Sequence, residues 1–207
     1  MGNGHQASVT HYPFPTFLEV VPKRLTNIER RSREYLRPDE VEKLIVAAKV
    51  SSAPVRNHAL VLTSYRHGLR VGEAVGLRWS QIDFTRAQLH INRLKNGKPG
   101  LHPMEADELR VLKRLKSEVG DSPWIFLSRL RLPLTPRGAN MAVTQLGKVA
   151  GLEFPIHFHQ LRHSCGFFLA NKGYDTRLIQ DWLGHQNINH TARYTALAPS
   201  RFEGLWR

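Results

Sequence analysis

The chain has 207 residues, and its 30 Lys and Arg against 17 Asp and Glu give a formal net charge of +13 at pH 7. With 41% hydrophobic and 23% charged residues the composition is globular, and the single cysteine, Cys165, excludes a disulfide framework and a cysteine-based zinc site. So large a positive charge indicates a polyanionic partner, with nucleic acid as the first candidate and a basic protein without such a partner as the alternative.

The first part of the chain differs in composition from the rest. Residues 1–21 mix Gly, His, Pro and Thr without a sustained period, and a cluster of five basic residues follows up to Arg33. We therefore expect a basic N-terminal arm over residues 1–34, flexible or loosely docked. A compact domain follows over residues 35–200, and residues 201–207 form a C-terminal tail with an apolar stripe.

Helical periodicity begins at Pro38, a residue that suits the first position of a helix. Val41, Leu44, Ile45 and Ala48 then fall on one face of this helix. Gly68 is a stop signal for a second helix that starts at residue 54. The further predicted helices are a short one over residues 70–76, then 105–119, 135–150, 159–172, 176–183 and one around Tyr194.

The predicted strands are few and short. Residues 88–93 alternate as a strand does, Asn96-Gly97 is a strong turn signal, and residues 101–104 can form the return strand. The apolar run at residues 124–127 predicts a further short strand. The fold class is therefore α+β: mainly helical, with a small antiparallel β-sheet.

Several basic, imidazole and phenol side chains are not readily explained as core. They are Arg70, Lys95, His159, Arg162, His185 and Tyr194. His159 and Arg162 are three residues apart on a predicted helix and therefore share a face. Lys95 belongs at the tip of the predicted hairpin. Each of these residues, taken alone, also fits an ordinary surface or packing role.

A zinc site is the other chemistry that the histidines could indicate. His157, His159 and His163 lie close together, but no carboxylate or cysteine joins them at a ligand spacing such as His-Glu-x-x-His. We therefore expect no metal and no other cofactor.

Taken together, the six residues resemble the signature of the tyrosine recombinases, the phage integrase family. They match it in order and in approximate spacing. The stretch 163–196 is more similar still to the short recombinases that invert the fimbrial promoter element in enteric bacteria. The resemblance runs from about residue 35 to the C-terminus and implies the mainly helical catalytic domain of this family.

The resemblance assigns the phosphate chemistry to three residues. Tyr194 is the nucleophile that forms a 3′-phosphotyrosyl link with DNA. Arg70 and Arg162 bind the non-bridging oxygens, because a guanidinium is always charged and grips two oxygens at once. The link conserves the energy of the phosphodiester, so that a second strand can reverse the attack.

The resemblance gives the remaining residues roles in proton transfer, in hydrogen bonding to the phosphate and in support of the first arginine. His159 is the proton acceptor or transition-state donor, and His185 is a second donor to the phosphate. Lys95 is the general acid for the leaving 5′-oxygen. Glu73 resembles the acidic residue near the family's first arginine and has a supporting role.

The resemblance also implies a setting. The partner is double-stranded DNA, bound as a homotetramer on paired sites by a chain that is a monomer or dimer off DNA, with accessory DNA-bending proteins. No apolar run approaches the roughly 18 residues of a membrane span, and the N-terminus lacks a signal-peptide core. We therefore expect a bacterial, cytoplasmic, nucleoid-associated enzyme with no membrane partner.

One departure and three alternatives remain. Most members of the family carry a separate DNA-binding domain, for which residues 1–34 are too short, and this favours the fimbrial subgroup. The alternatives are a nicking-closing topoisomerase, a non-catalytic DNA-binding regulator of the same fold, and an RNA-binding basic protein. The complete residue set argues against a regulator, and no RNA-recognition motif is visible.

Overall fold

The computed structural model describes residues 33–94 and 97–196. Within these ranges the chain forms eight α-helices and three short strands. The helices are α1 (Pro38–Lys49), α2 (Pro54–Arg66), α3 (Val71–Val75), α4 (Ala106–Val119), α5 (Pro136–Val149), α6 (Phe158–Asn171), α7 (Thr176–Leu183) and α8 (Asn189–Ala196). The strands are β1 (Ile82–Asp83), β2 (Gln88–Ile91) and β3 (Gly100–Pro103), with a 3-10 turn at Trp79–Gln81. The predicted α+β class is confirmed.

Local hydrogen bonds explain where the helices begin. Pro38 occupies the first position of α1, and Glu40 Oε2 accepts the backbone N–H of Arg37 at 2.8 Å. The start of α7 is capped by Asp175, whose carboxylate accepts the backbone N–H of Arg177 at 2.8 Å. Such bonds satisfy backbone donors that the first turn of a helix leaves free.

Two glycines end helices and allow close approach. Gly68, which follows α2 as predicted, has φ +56°, and an added Cβ would collide with the side chain of Leu183. Gly184 ends α7 with φ +66°, and a Cβ there would lie 2.8 Å from the carbonyl oxygen of Lys98. The ends of α2 and α7 and the loop after β2 can therefore meet in one region.

The core has two parts. The larger is formed by buried side chains from α1 to α6 and includes Leu44, Leu60, Leu112, Phe126 and Phe158. The smaller lies between α6, α7 and α8 and contains Cys165, Ala170, Ile179, Leu183 and Tyr194. The Sγ–H of Cys165 donates to the backbone oxygen of Arg66 at 3.4 Å, which joins this smaller cluster to the end of α2.

The sheet is antiparallel with the order β1-β2-β3. Leu89 pairs with Ile82 on one side and with His102 on the other. The pairing of β2 with β3 confirms the predicted hairpin, whereas β1 was not predicted because it is only two residues long. β2 ends at Ile91, before the predicted end at Arg93, whose side chain turns inward to a buried carboxylate.

The strand predicted at residues 124–127 is wrong. The structure has isolated bridges there, Arg78 to Trp124 and Leu127 to Pro133. The N–H of Ile125 donates to the oxygen of Leu77, whereas the oxygen of Phe126 accepts from Leu134, so that successive residues bond to different segments. The apolar run is a buried connection, which hydrophobicity alone does not distinguish from a strand.

Some expectations fall outside the described residues. These are the arm up to residue 32, the hairpin residues Lys95 and Asn96, and the tail over residues 201–207. Arg33, the last basic residue of the expected arm, is described, and its guanidinium pairs with Glu40 at 2.6 Å. Of the helices in the described part of the chain, none is long and apolar enough to cross a membrane.

Candidate active site

Five of the residues expected in a site line one cavity of about 380 Å³. Arg70 stands just before α3, His159 and Arg162 lie on α6, His185 follows α7, and Tyr194 lies on α8. Residues far apart in sequence are therefore brought to one opening by the packing of α6 against α7 and α8.

Arg70 is held by a neighbour three residues along the chain. Its backbone N–H donates to Glu73 Oε2 at 2.9 Å, and its guanidinium donates to Glu73 Oε1 at 2.7 Å. Arg70 is thus the N-cap of α3, and Glu73 lies in the first turn of that helix. The short spacing fixes the direction of the guanidinium, while the side chain keeps enough exposure to reach a ligand in the cavity.

Glu73 faces a cluster of three arginines behind the cavity. Its Oε2 lies 3.0 Å from Arg93 Nη1 and 4.0 Å from Arg162 Nη1. Burial alone would raise the pKa of Glu73. The hydrogen bonds from the backbone and guanidinium of Arg70 and the charges of Arg93 and Arg162 outweigh burial, so that the pKa is lowered. Three guanidiniums and one carboxylate leave a net charge of +2, which suits the binding of an anion.

Arg162 is fully buried and joins two helix ends. Its Nη1 donates to the backbone oxygen of Gly68, and its Nη2 donates to the backbone oxygen of Leu183 at 2.7 Å. Burial, with the charges of Arg70 and Arg93, lowers the pKa of Arg162 to about 10, so it is still charged at pH 7. A guanidinium fixed by two carbonyls needs no reordering when a ligand arrives.

His185 is placed by the left-handed turn at Gly184. Its Nδ1 lies 2.8 Å from the hydroxyl oxygen of Thr191, and Gln180 Nε2 donates to its backbone oxygen at 3.0 Å. Burial, and after it the charges of Arg162 and other cations, lowers the pKa of His185 to about 3. The ring is therefore neutral at pH 7, and where the Thr191 hydroxyl donates to Nδ1, Nε2 carries the proton.

Tyr194 packs tightly on α6. Its hydroxyl lies 2.8 Å from His163 Nδ1, and its ring lies against Gly166, where an added Cβ would be 2.7 Å from two ring carbons. Burial raises the pKa of the Tyr194 phenol by more than the charges of Arg193 and Arg162 lower it. In this arrangement the phenol keeps its proton.

The remaining expected residues lie around these groups. His159 is exposed on α6, and its ring centroid is 4.4 Å from that of His163. Lys95 is outside the described residues, but the residues that flank the gap are close to the site: the N–H of Leu94 donates to Glu73 at 3.0 Å, and Gly97 lines the cavity.

Three residues of the site were not predicted: Arg93, His163 and Thr191. From the sequence, His163 is weighed as a zinc ligand and belongs to the stretch that resembles the fimbrial recombinases, but it is given no role in the site. Its i, i+4 spacing from His159 places both rings on one face of α6. The partners of Arg93 and Thr191 become visible only in the folded chain. No group of three or more potential metal ligands converges anywhere in residues 33–94 and 97–196.

A mainly helical domain that gathers arginines, histidines and a tyrosine at one cavity has the groups that an enzyme needs to cleave and rejoin a phosphodiester. The chain belongs to the phage integrase family, whose model matches residues 34–201. Members of this family are tyrosine recombinases, and the protein is accordingly a site-specific DNA recombinase.

Its relatives include short chains of similar length. The type 1 fimbriae regulatory protein FimB of Escherichia coli K12 is 43% identical over 86% of this chain and 92% of the relative. The corresponding protein FimE is 39% identical over 84% of this chain and 91% of the relative. The tyrosine recombinase XerA of Pyrococcus horikoshii is 34% identical over 92% of this chain but only 66% of the relative.

Solved structures share the fold. The crystal structure of XerA recombinase superposes with a TM-score of 0.71 at 29% identity and covers 80% of this chain. This chain spans 61% of the XerA chain in that structure. XerH bound to its difH substrate before cleavage gives a TM-score of 0.69 at 24% identity over 83% of this chain, which indicates the same fold.

Proposed function

We propose that this recombinase cleaves DNA by attack of the Tyr194 hydroxyl on a phosphodiester held between Arg70 and Arg162. The observation that supports the proposal is the cavity itself, where the phenol of Tyr194 lies among three arginines and four histidines, with Arg70, Arg162, His159 and His185 among them. A tyrosine is a poor nucleophile until its proton is removed, and a phosphodiester resists attack until its charge is neutralised. The cavity offers groups for both tasks.

Each bond that breaks in cleavage and rejoining is matched by a bond that forms, so the reaction needs no external energy source. The Tyr194 oxygen gives its proton to a histidine of the cavity and forms a bond to phosphorus, while the bond from phosphorus to the 5′-oxygen breaks with its electron pair. Lys95 supplies the proton that the 5′-oxygen takes up. A 5′-hydroxyl from the partner strand then attacks the 3′-phosphotyrosyl link and releases Tyr194.

The cations stabilise the charge that builds on the non-bridging oxygens. Arg70 and Arg162 reach these oxygens, His185 donates a further hydrogen bond, and His159 serves as proton acceptor or transition-state donor. Glu73 keeps Arg70 in place. Because the donors are held by the fold before DNA binds, little reorganisation is needed in the transition state.

The substrate in this proposal is duplex DNA with two sites, and the outcome is rearrangement of the segment between them. FimB and FimE are named as regulatory proteins of type 1 fimbriae, which favours inversion of a regulatory segment. Four protomers act on the paired sites, with accessory DNA-bending proteins, and the tail 201–207 docks on a neighbour. The arm 1–34 adds basic contacts. The reaction takes place on the nucleoid in the bacterial cytoplasm.

The test uses nicked duplexes that carry inverted repeats from the DNA beside the gene. The wild-type protein should trap a covalent protein–DNA adduct, also in EDTA, because the arginines supply the charge that a divalent ion supplies elsewhere. Tyr194→Phe should bind the duplex with unchanged affinity and form no adduct. Tyr174→Phe, at an exposed tyrosine on the same domain, should behave as wild type.

The alternatives give different results in the same assay. A non-catalytic regulator forms no adduct with any duplex. A nicking-closing topoisomerase relaxes a supercoiled plasmid that has no second site, whereas the proposed recombinase inverts the segment of a two-site plasmid. An adduct that persists in Tyr194→Phe removes Tyr194 from its role.

A further inference from the structure

A second histidine contacts the hydroxyl of Tyr194. His163 follows Arg162 on α6, its side chain is buried, and its Nδ1 lies 2.8 Å from the phenol oxygen. Its ring also contacts the ring of His159 edge-on. His163 thus contacts the phenol oxygen directly, and the mechanism proposed so far gives it no role.

The other nitrogen of the same ring faces a carboxylate. His163 Nε2 lies 3.6 Å from Glu34 Oε2, on the segment that leads into α1. A carboxylate oxygen and a bare ring nitrogen repel each other, so the tautomer with the proton on Nε2 is favoured. Nδ1 is then left as a lone pair that accepts the hydrogen bond of the phenol. The order carboxylate, imidazole, hydroxyl is the one that activates hydroxyl nucleophiles in general.

We propose that His163 is the base that removes the proton from Tyr194, and that Glu34 is the positioning residue that holds the His163 ring. Of the two roles open to His159, this leaves that of transition-state donor. The proposal rests on the proposed role of Tyr194 as nucleophile. The O–H bond of the phenol breaks as the N–H bond at Nδ1 forms, and the phenolate oxygen uses its freed electron pair to attack phosphorus. On religation the imidazolium returns the proton to the Tyr194 oxygen.

The charge balance of the cavity changes in favour of this transfer when DNA binds. Without DNA, burial and the charges of His159, Arg193 and Arg162 lower the pKa of His163 to about 3, so Nδ1 is free to accept. A bound phosphodiester brings a negative charge next to these cations and offsets their effect on the ring. Glu34 also stabilises an imidazolium through its carboxylate.

Two variants of His163 separate proton removal from hydrogen bonding. His163→Asn places an amide oxygen near the position of Nδ1, which accepts a hydrogen bond but takes up no proton. His163→Ala leaves a space that free imidazole can enter. The readout is the rate of covalent adduct formation on the nicked duplex at saturating DNA.

We expect both variants to lower this rate by about 10²–10⁴-fold, as loss of a general base does. Added imidazole should restore His163→Ala in part and should not restore His163→Asn. Glu34→Gln should slow the reaction at saturating DNA and leave the affinity for DNA unchanged. His90→Ala, at an exposed histidine of β2, is the control and should react as wild type.

The outcomes are distinguishable. A wild-type rate in His163→Asn together with a slow His163→Ala means that only a hydrogen-bond acceptor is needed, and this overturns the proposal. Thermal unfolding checks that each variant is folded. If His163→Ala does not fold, the rates of His163→Asn and Glu34→Gln test the proposal instead. An adduct in Tyr194→Phe contradicts the proposed function. If Tyr194→Phe forms no adduct but His163→Asn reacts at the wild-type rate, only the role of His163 is contradicted.

Discussion

At the scale of single residues, Glu73 is the carboxylate that lets three guanidiniums lie side by side. Replacing it with an amide leaves Arg93, which is fully buried, without a counter-charge. We expect Glu73→Gln to lower the free energy of unfolding by about 3–5 kcal/mol, as breaking a buried ion pair does. Urea unfolding measures this. The control Glu118→Gln breaks an exposed pair with Arg114 and should cost less than about 1 kcal/mol.

The difference in unfolding free energy between wild type and Glu73→Gln should also depend on pH. The pKa of Glu73 is lowered in the folded chain, so its stabilising effect is fully present above the unfolded pKa of about 4.3. It is lost as the pH falls through the folded value. The difference in stability between wild type and Glu73→Gln should therefore be constant near neutral pH and shrink in acid. A difference that grows in acid would contradict this assignment.

Arg70 and Arg162 should matter more for cleavage than for binding. Many other basic groups share the binding of DNA, whereas these two meet the charge of the transition state. We expect Arg70→Ala to slow adduct formation at saturating DNA by about 10²–10³-fold. In the double variant, Arg70→Ala with Arg162→Ala, the loss of activation free energy should be much smaller than the sum of the two single losses, because the two residues act on one phosphate. Arg114→Ala, at an exposed position on α4, is the control.

At the scale of elements, the contact of α8 with α6 sets the position of Tyr194. Gly166 leaves room for the phenol ring, and a Cβ at this position would lie 2.7 Å from two ring carbons. We expect Gly166→Ala to displace the ring and to slow adduct formation by about 10²-fold, since small misplacements of reacting groups have such effects. DNA affinity should be unchanged.

The control for this variant is another helical glycine. Gly138→Ala on α5 would place its Cβ 3.1 Å from the end of the Leu134 side chain, which can move. Both variants gain up to about 1 kcal/mol of helix propensity, so a difference between them reports the contact with Tyr194. Equal rates in the two variants would mean that the phenol ring has space to move without loss.

The elements also differ in how far the sequence alone could predict them. Helices such as α1 and α7 were predicted because proline, acidic residues and glycines act within a few positions of each other. The run at residues 124–127 was misread because its hydrogen bonds go to two distant segments. Local patterns carry no information about such partners.

The residues of the site also divide into those that the sequence could identify and those that only the folded structure reveals. Five of its residues were identified through family resemblance, and the spacing of Arg70 and Glu73 also predicts their pairing within one turn. Arg93 and His163 were missed as parts of the site, because their partners lie far along the chain. The carbonyl of Trp182 accepts from Arg93, and the hydroxyl of Tyr194 meets His163. Only the packing of α6, α7 and α8 brings these groups together.

At the scale of the whole molecule, a net charge of +13 governs how DNA affinity responds to salt. Each phosphate neutralised contributes about −0.9 to the slope of log K against log salt concentration. We expect a slope of about −4 or steeper, which corresponds to contact with roughly five phosphates or more. Gel-shift titrations over a series of potassium chloride concentrations measure it. A flat response would argue against a surface that follows the DNA backbone.

The lone cysteine has a practical consequence. Cys165 is buried beneath the helices that frame the cavity, and burial raises the pKa of its thiol to about 12. An alkylating reagent can therefore react only when α6 separates from its neighbours. The unmodified protein thus carries its own reporter of local opening, and we expect labelling to be slow in the free chain and slower when duplex DNA is bound. Mass spectrometry over a time course measures it; rapid labelling of folded protein would mean that this part of the domain opens readily.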